Sequence, residues 1–159
     1  MKTNVIIRDK DGHYIIIKGS LQQENITLVN IYVPNVGPKY IKQILMDLKG
    51  EINSAVIVGG FNTPLTSMDG SSRQEINKET AALNDTLNQM DLIDISEPKQ
   101  HPKTAEYTFF SSMHRIFSRI EHVSGHTTNL NKINKTKIIS NIFHDHNDMK
   151  LEISYKKEN

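Results

Sequence analysis

The chain reads as a layered α/β or α+β sandwich. Short apolar runs with two-residue alternation recur along it, and two amphipathic segments with helical spacing interrupt them. Gly, Pro, Asn or Asp bounds most of these runs. Strands and helices mixed in this way build sheets whose outer faces the helices cover.

Val5-Ile6-Ile7 and His13 to Lys18 flank Asp11-Gly12, a favoured hairpin dipeptide. The next strand spans Ile26 to Val33 and ends at Pro34. Val29, Ile31 and Val33 make one face, and Leu28, Asn30 and Tyr32 make the other. The second face suits the wall of a site, and an exposed sheet face equally. From Lys39 to Leu48, Tyr40, Ile41, Ile44, Leu45 and Leu48 fall at helical spacing, and Gly50 closes the segment. Ala55-Val56-Ile57-Val58 reads as a buried strand whose polar exit is Gly59-Gly60-Phe61-Asn62. A second helix follows from about Asn77, its cap, to Met90. Tyr107 to Ser111 and Ile116 to Val123 form a hairpin around Ser112-Met113-His114-Arg115. Lys137 to Phe143 and Met149 to Tyr155 are the last strands, and 156–159 is a frayed tail.

The 159 residues suit one domain, with no repeat and no Pro/Gly-rich linker. No apolar run approaches the roughly 18 residues of a membrane helix, and Met1-Lys2-Thr3-Asn4 opens no secretory signal. Cys is 0, which excludes disulfides and Cys-ligated zinc and fits an intracellular location, nuclear or cytoplasmic. Lys plus Arg is 19 against 18 for Asp plus Glu, so a nucleic-acid contact has to come from a local patch. Arg115, Arg119, Lys132, Lys135 and Lys137 are the candidates, with ordinary solvated surface as the plainer reading.

Three strand-end clusters carry groups suited to chemistry: Gly59 to Leu65, Ser118 to Val123, and His144-Asp145-His146-Asn147. An Asp beside a His joins a divalent-metal ligand to a proton carrier, and Glu121 is placed to fix the imidazole tautomer. Asn62, Tyr32 and Thr108 supply donors for phosphate oxygens. Alone, an Asp-His pair in a loop is more often a turn feature. His122 with His126, and His144 with His146, offer a zinc reading, but Val123-Ser124-Gly125 does not read as a helix.

Together the clusters say more. In order the chain carries Asn30-Ile31-Tyr32-Val33-Pro34-Asn35, Gly59-Gly60-Phe61-Asn62-Thr63-Pro64, Glu106-Tyr107-Thr108-Phe109-Phe110-Ser111, Ser118-Arg119-Ile120-Glu121-His122-Val123 and Asp145-His146. This series resembles the endonuclease/exonuclease/phosphatase superfamily, which includes DNase I. It is most similar to the endonuclease domain of the LINE retrotransposon second open reading frame protein. The resemblance runs from about Asp9 to Glu152. It implies a four-layer α/β sandwich of the DNase I-like type and DNA nicking with Mg²⁺ and an activated water. It also implies roles: Tyr32 contacts the scissile phosphate, Asn62 positions water or phosphate, and His146 stabilises phosphate charge. Asp145 lies beside the metal, Glu121 orients the His, Thr108 lies on the DNA-binding surface, and Arg115 sits in the turn where the family presents DNA contacts.

The chain departs from the family pattern where the chemistry is done. Gly60 stands where the pattern has the Asp that activates water. Glu121 replaces an Asp and moves the carboxylate by about an ångström, a misplacement that costs roughly 100-fold. Gly70 replaces an Arg, and His144 replaces a Ser. The family's first Asn and the metal-binding Glu of Gln-Glu-Thr have no counterpart upstream of Tyr32. The expectation is therefore a partial domain over residues 1–155, lacking its first strands and helix, catalytically inactive, and either a monomer or unstable.

Overall fold

The computed structural model describes residues 1–33, 37–52, 55–65, 69–70, 76–95, 107–113, 115–127, 133–139, 143 and 145–153. Strands β1 (Lys2–Arg8) and β2 (Tyr14–Leu21) form the first hairpin. Gly12 takes φ +77° in its turn, and Asp9 caps the turn by accepting from the His13 backbone N–H at 3.1 Å. The hairpin from β2 to β3 (Glu24–Tyr32) closes through Gln22 and Gln23, both in the left-handed region at φ 51° and 72°.

Helix α1 (Pro38–Asp47) starts with proline in its first turn, where the missing N–H costs nothing. It carries the chain across to β4 (Ala55–Gly60), which runs parallel to β3. Helix α2 (Lys78–Gln89) is capped by Asn77, whose side chain accepts from the Thr80 N–H at 2.8 Å. The remaining strands are β5 (Leu92–Asp94), β6 (Phe109–Ser111), β7 (Ile116–Ser118), β8 (Glu121–His126), β9 (Ile133–Ile139) and β10 (Asp148–Ile153). A six-stranded central sheet has the order β1-β2-β3-β4-β8-β5, while β6 pairs with β7 and β9 with β10.

The core lies on one face of that central sheet. Ile16, Val29, Ile31, Val33, Ala55 and Ile57 cluster with Ile41, Ile44 and Leu45 of α1 and Leu83 and Leu87 of α2. Each buried Val, Ile or Leu side chain among them contributes roughly 1.5–3 kcal/mol of transfer free energy. Alternation sends Ile15, Ile17, Leu28, Asn30 and Tyr32 to the opposite face, where Ile15, Asn30 and Tyr32 are exposed. No helix among the described residues is long and apolar enough to cross a membrane.

Two element expectations change. The run Ile116 to Val123 is not one strand: β7 pairs with β6, and β8 enters the central sheet beside β4. The chain turns at Arg119 and Ile120, where the Arg119 N–H donates to the Asp69 carbonyl and the Ile120 N–H to Thr108 Oγ1. The penultimate strand also lies earlier, at Ile133–Ile139, where it pairs with β10. Pro34, His114, Lys132, His144, Tyr155 and the tail at 156–159 lie outside the described residues.

Candidate active site

Parallel pairing of β3 with β4 brings their C-terminal ends side by side, with Tyr32 opposite Gly60. Antiparallel β8 begins at the same level, with Glu121 opposite Gly60. The three positions form a row on the sheet face turned away from the helices. Tyr32 is 61% exposed, and its ring leans toward Gly60: a Cβ there would lie 3.5 Å from Tyr32 Cδ2.

His146 joins the row through Glu121, with Nδ1 and Oε1 2.5 Å apart. A carboxylate only accepts, so in the neutral ring the proton sits on Nδ1 and the Nε2 lone pair is left outward. The imidazole is 48% exposed. Its loop is pinned from below. Phe110 N–H donates to the Asp145 carbonyl at 3.0 Å, and Asn147 N–H to the Thr108 carbonyl at 2.7 Å. The Asn147 amide donates to the Tyr107 carbonyl at 3.0 Å, and the Phe109 ring lies 4.8 Å from the His146 ring.

Asn62 is exposed on the loop leaving β4, in the left-handed region at φ 52°. Buried Phe61 anchors that loop, and its N–H donates to the Ile120 carbonyl at 2.9 Å. His122 holds the other side. It is fully buried, its Nε2 donates to the Thr63 carbonyl at 2.9 Å, and its Nδ1 lies 3.3 Å from Asp94 Oδ2. The sequence offered His122 only as a zinc candidate, and its positioning role carried no signal there. His126 is four residues along the same strand, a span of roughly 13 Å, so the pair cannot share a metal.

Two residues expected to face DNA are interior instead. Thr108 is fully buried, and its hydroxyl accepts from the N–H groups of Ile120 and Glu121 at 3.0 and 3.3 Å. Arg119 is 7% exposed and bonds Asp69 Oδ1 at 2.5 Å, with Asp94 Oδ2 at 3.6 Å. Both side chains hold strand ends together rather than meeting solvent. Arg115 does sit at the surface, in the β6–β7 turn at φ 51°.

Mg²⁺ is held by hard oxygen ligands, through one or two carboxylates together with waters and phosphates. Here Glu121 Oε1 is engaged by His146, and Gly60 offers no side-chain oxygen. Glu121 Oε2 is buried without a hydrogen-bond partner, which leaves one bare carboxylate oxygen. Asp145 is exposed on its loop. Among the described residues, the group of three possible ligands within 4.8 Å of one another is Asp9, Asp11 and His13, in the β1–β2 turn, where the His13 carbonyl accepts from the Tyr32 N–H at 2.8 Å. Glu121 Oε2 and the Asp145 carboxylate are thus the oxygen donors that the described strand ends offer a divalent cation.

A mixed α/β fold with this central sheet and strand-end site is of the DNase I-like class. Three solved structures share it. The endonuclease domain of TRAS1, a telomere-specific non-LTR retrotransposon, matches with TM-score 0.75 at 16% identity, over 98% of this chain and 70% of that one. The 3′ phosphatase NExo from Neisseria, solved with a product DNA hairpin, matches with TM-score 0.70 at 16% identity, over 92% and 66%. An AP endonuclease from Archaeoglobus fulgidus matches with TM-score 0.72 at 14% identity, over 97% and 72%. No family model matches the chain. At these identities the likeness establishes the DNase I-like fold alone and leaves the chemistry to the site.

Proposed function

We propose that the chain is a degenerate LINE-type retrotransposon endonuclease domain, related to Mg²⁺-dependent DNA-nicking phosphodiesterases, that no longer nicks DNA efficiently. The observation that carries this reading is the Glu121–His146 hydrogen bond beside a bare Gly60. The pair keeps an oriented imidazole where phosphate charge would be met. Tyr32 and Asn62, both exposed, are the donors that would meet phosphate oxygens. Gly60 removes the acceptor that would take a proton from water, and loss of a general base of this kind costs roughly 10²–10⁴-fold. Asp145 and Glu121 are the residues nearest to a metal role.

The test is nicking of supercoiled plasmid in Mg²⁺ by the parent chain and by His146→Ala. No nicking above the variant is expected. Mg²⁺-dependent nicking that vanishes in His146→Ala would overturn the inactive reading.

Exposed Arg115 favours a second reading, a nucleic-acid-binding remnant without catalysis. Phosphate contacts strengthen as salt falls. Absence of binding to single- or double-stranded DNA at low salt would eliminate it.

A further inference from the structure

We infer that the β1–β2 turn binds a first-row divalent transition cation of the Zn²⁺ class on Asp9, Asp11 and His13. The inference stands apart from the reading above, since it uses none of the groups assigned there. One side-chain donor from each of the three residues lies within 4.8 Å of the other two. The measured pair is His13 Nδ1 and Asp9 Oδ2, 3.2 Å apart. Two donors that share one ion at roughly 2.0–2.2 Å, with angles of roughly 95–110°, lie roughly 3.0–3.5 Å from each other. The imidazole and the first carboxylate therefore already stand at the edge length of a coordination shell. Asp9 Oδ2 also accepts from the His13 backbone N–H at 3.1 Å, which uses one lone pair and leaves another for an ion. Binding places the ring proton on Nε2 and gives the Nδ1 lone pair to the ion.

Two further observations separate this group from a plain polar turn. The first is charge. The turn brings the Asp9 and Asp11 carboxylates together, and among the described residues neither is paired with a Lys or Arg. Like charges held at that range repel, and a shared cation offsets the repulsion. The second is that the imidazole is held from outside the turn. Tyr40, on α1, puts its hydroxyl 3.1 Å from His13 Nδ1, and its ring meets the imidazole edge-on with centroids 5.1 Å apart. The His13 carbonyl is fixed in turn by the Tyr32 N–H at 2.8 Å. Helix and sheet thus orient the nitrogen ligand before any ion arrives.

The donor chemistry selects the ion. One imidazole nitrogen with two carboxylates suits Zn²⁺ and its first-row neighbours, whereas Mg²⁺ takes oxygen ligands in a near-ideal octahedron. Three protein ligands leave room for water in the remaining position. Asp9 and His13 are largely shielded, and Asp11 is exposed, so the ion enters from the Asp11 side. Once bound, it ties the turn of the edge hairpin to a residue that already bonds the end of β3.

The experiment titrates Co²⁺, a coloured stand-in for Zn²⁺, into the full chain without a histidine tag and follows visible absorption. Saturable binding is expected, with a band that Zn²⁺ abolishes and excess Mg²⁺ leaves in place. Asp11→Asn and His13→Ala should each weaken binding by at least about 10-fold, the loss that even an outer-shell partner of a metal ligand brings. The double substitution Glu121→Gln with Asp145→Asn should leave it unchanged, which keeps this ion apart from any at the strand ends. Thermal scans should show a rise in melting temperature with Zn²⁺ for the parent and none for Asp11→Asn. Far-UV circular dichroism checks each fold, and Asp11→Asn, at an exposed turn position, decides the matter if His13→Ala does not fold. Affinity unchanged in the folded turn variants, loss of the ion in the double variant alone, or no binding by the folded parent at millimolar Co²⁺ overturns the inference.

Discussion

A Cβ at Gly59 would lie 2.1 Å from the Ile31 carbonyl oxygen, whereas at Gly60 the nearest atom is Tyr32 Cδ2 at an ordinary 3.5 Å. The first glycine is demanded by the close approach of β3 to β4, and the second is not. Gly59→Ala should therefore destabilise by about 3 kcal/mol or more, because backbone must move. Gly60→Asp should change stability by less than about 1 kcal/mol and should not restore nicking, since one added carboxylate leaves the metal set incomplete. Denaturant unfolding of the two variants checks the first pair of values, and plasmid nicking the last. The two arginines divide in the same way. Arg119→Ala takes the cation from buried Asp69, at a cost of about 3–5 kcal/mol, and should leave the salt slope of nucleic-acid binding unchanged. Arg115→Ala should leave the melting temperature unchanged and reduce that slope by about 1 if the turn meets phosphate. Tyr32, Glu121 and His146 could be read from the sequence because each sits in an ordered motif at a strand end. The burial of Arg119 could not, because its partner Asp69 is 50 residues away and a polar residue carries no mark of which way it faces.

At the scale of elements, the helices were the clearest feature of the sequence. Ile41, Ile44 and Leu45 keep helical spacing in α1, and Asn77 caps α2 with a polar side chain at the expected place. Strand β5 has three residues, too few for alternation to register. The break between β7 and β8 was hidden because Ile116 to Val123 keeps an apolar rhythm through a turn imposed by Thr108 and Asp69. The Gln22-Gln23 turn is a local conflict of a different kind. Both residues adopt positive φ, the backbone of a two-residue hairpin turn that an Asn-Gly dipeptide fills with least strain. The double substitution Gln22→Asn with Gln23→Gly should stabilise by about 1 kcal/mol and raise the melting temperature by roughly 2–4 °C. A thermal scan that shows no rise would mean that the two glutamines are not strained there.

At the scale of the molecule, the helices cover one face of the central sheet and leave β1 to β3 half-bare on the other. Ile6 is 52% exposed on edge strand β1, near exposed Val5 and Ile15. An apolar edge of this kind invites pairing between copies. Ile6→Lys should raise the concentration at which the protein stays monomeric, with stability within about 0.5 kcal/mol of the parent. Light scattering across a concentration series is the check. The order of the sheet also sets a schedule during synthesis. Strand β4 finds β3 early, but its other neighbour, β8, leaves the ribosome about sixty residues later. At about 5–20 residues per second, one side of Ala55-Val56-Ile57-Val58 stays unpaired for roughly 3–12 s in every nascent chain. That interval is long enough for a chaperone to find it, or for a neighbouring chain on the same message to do so.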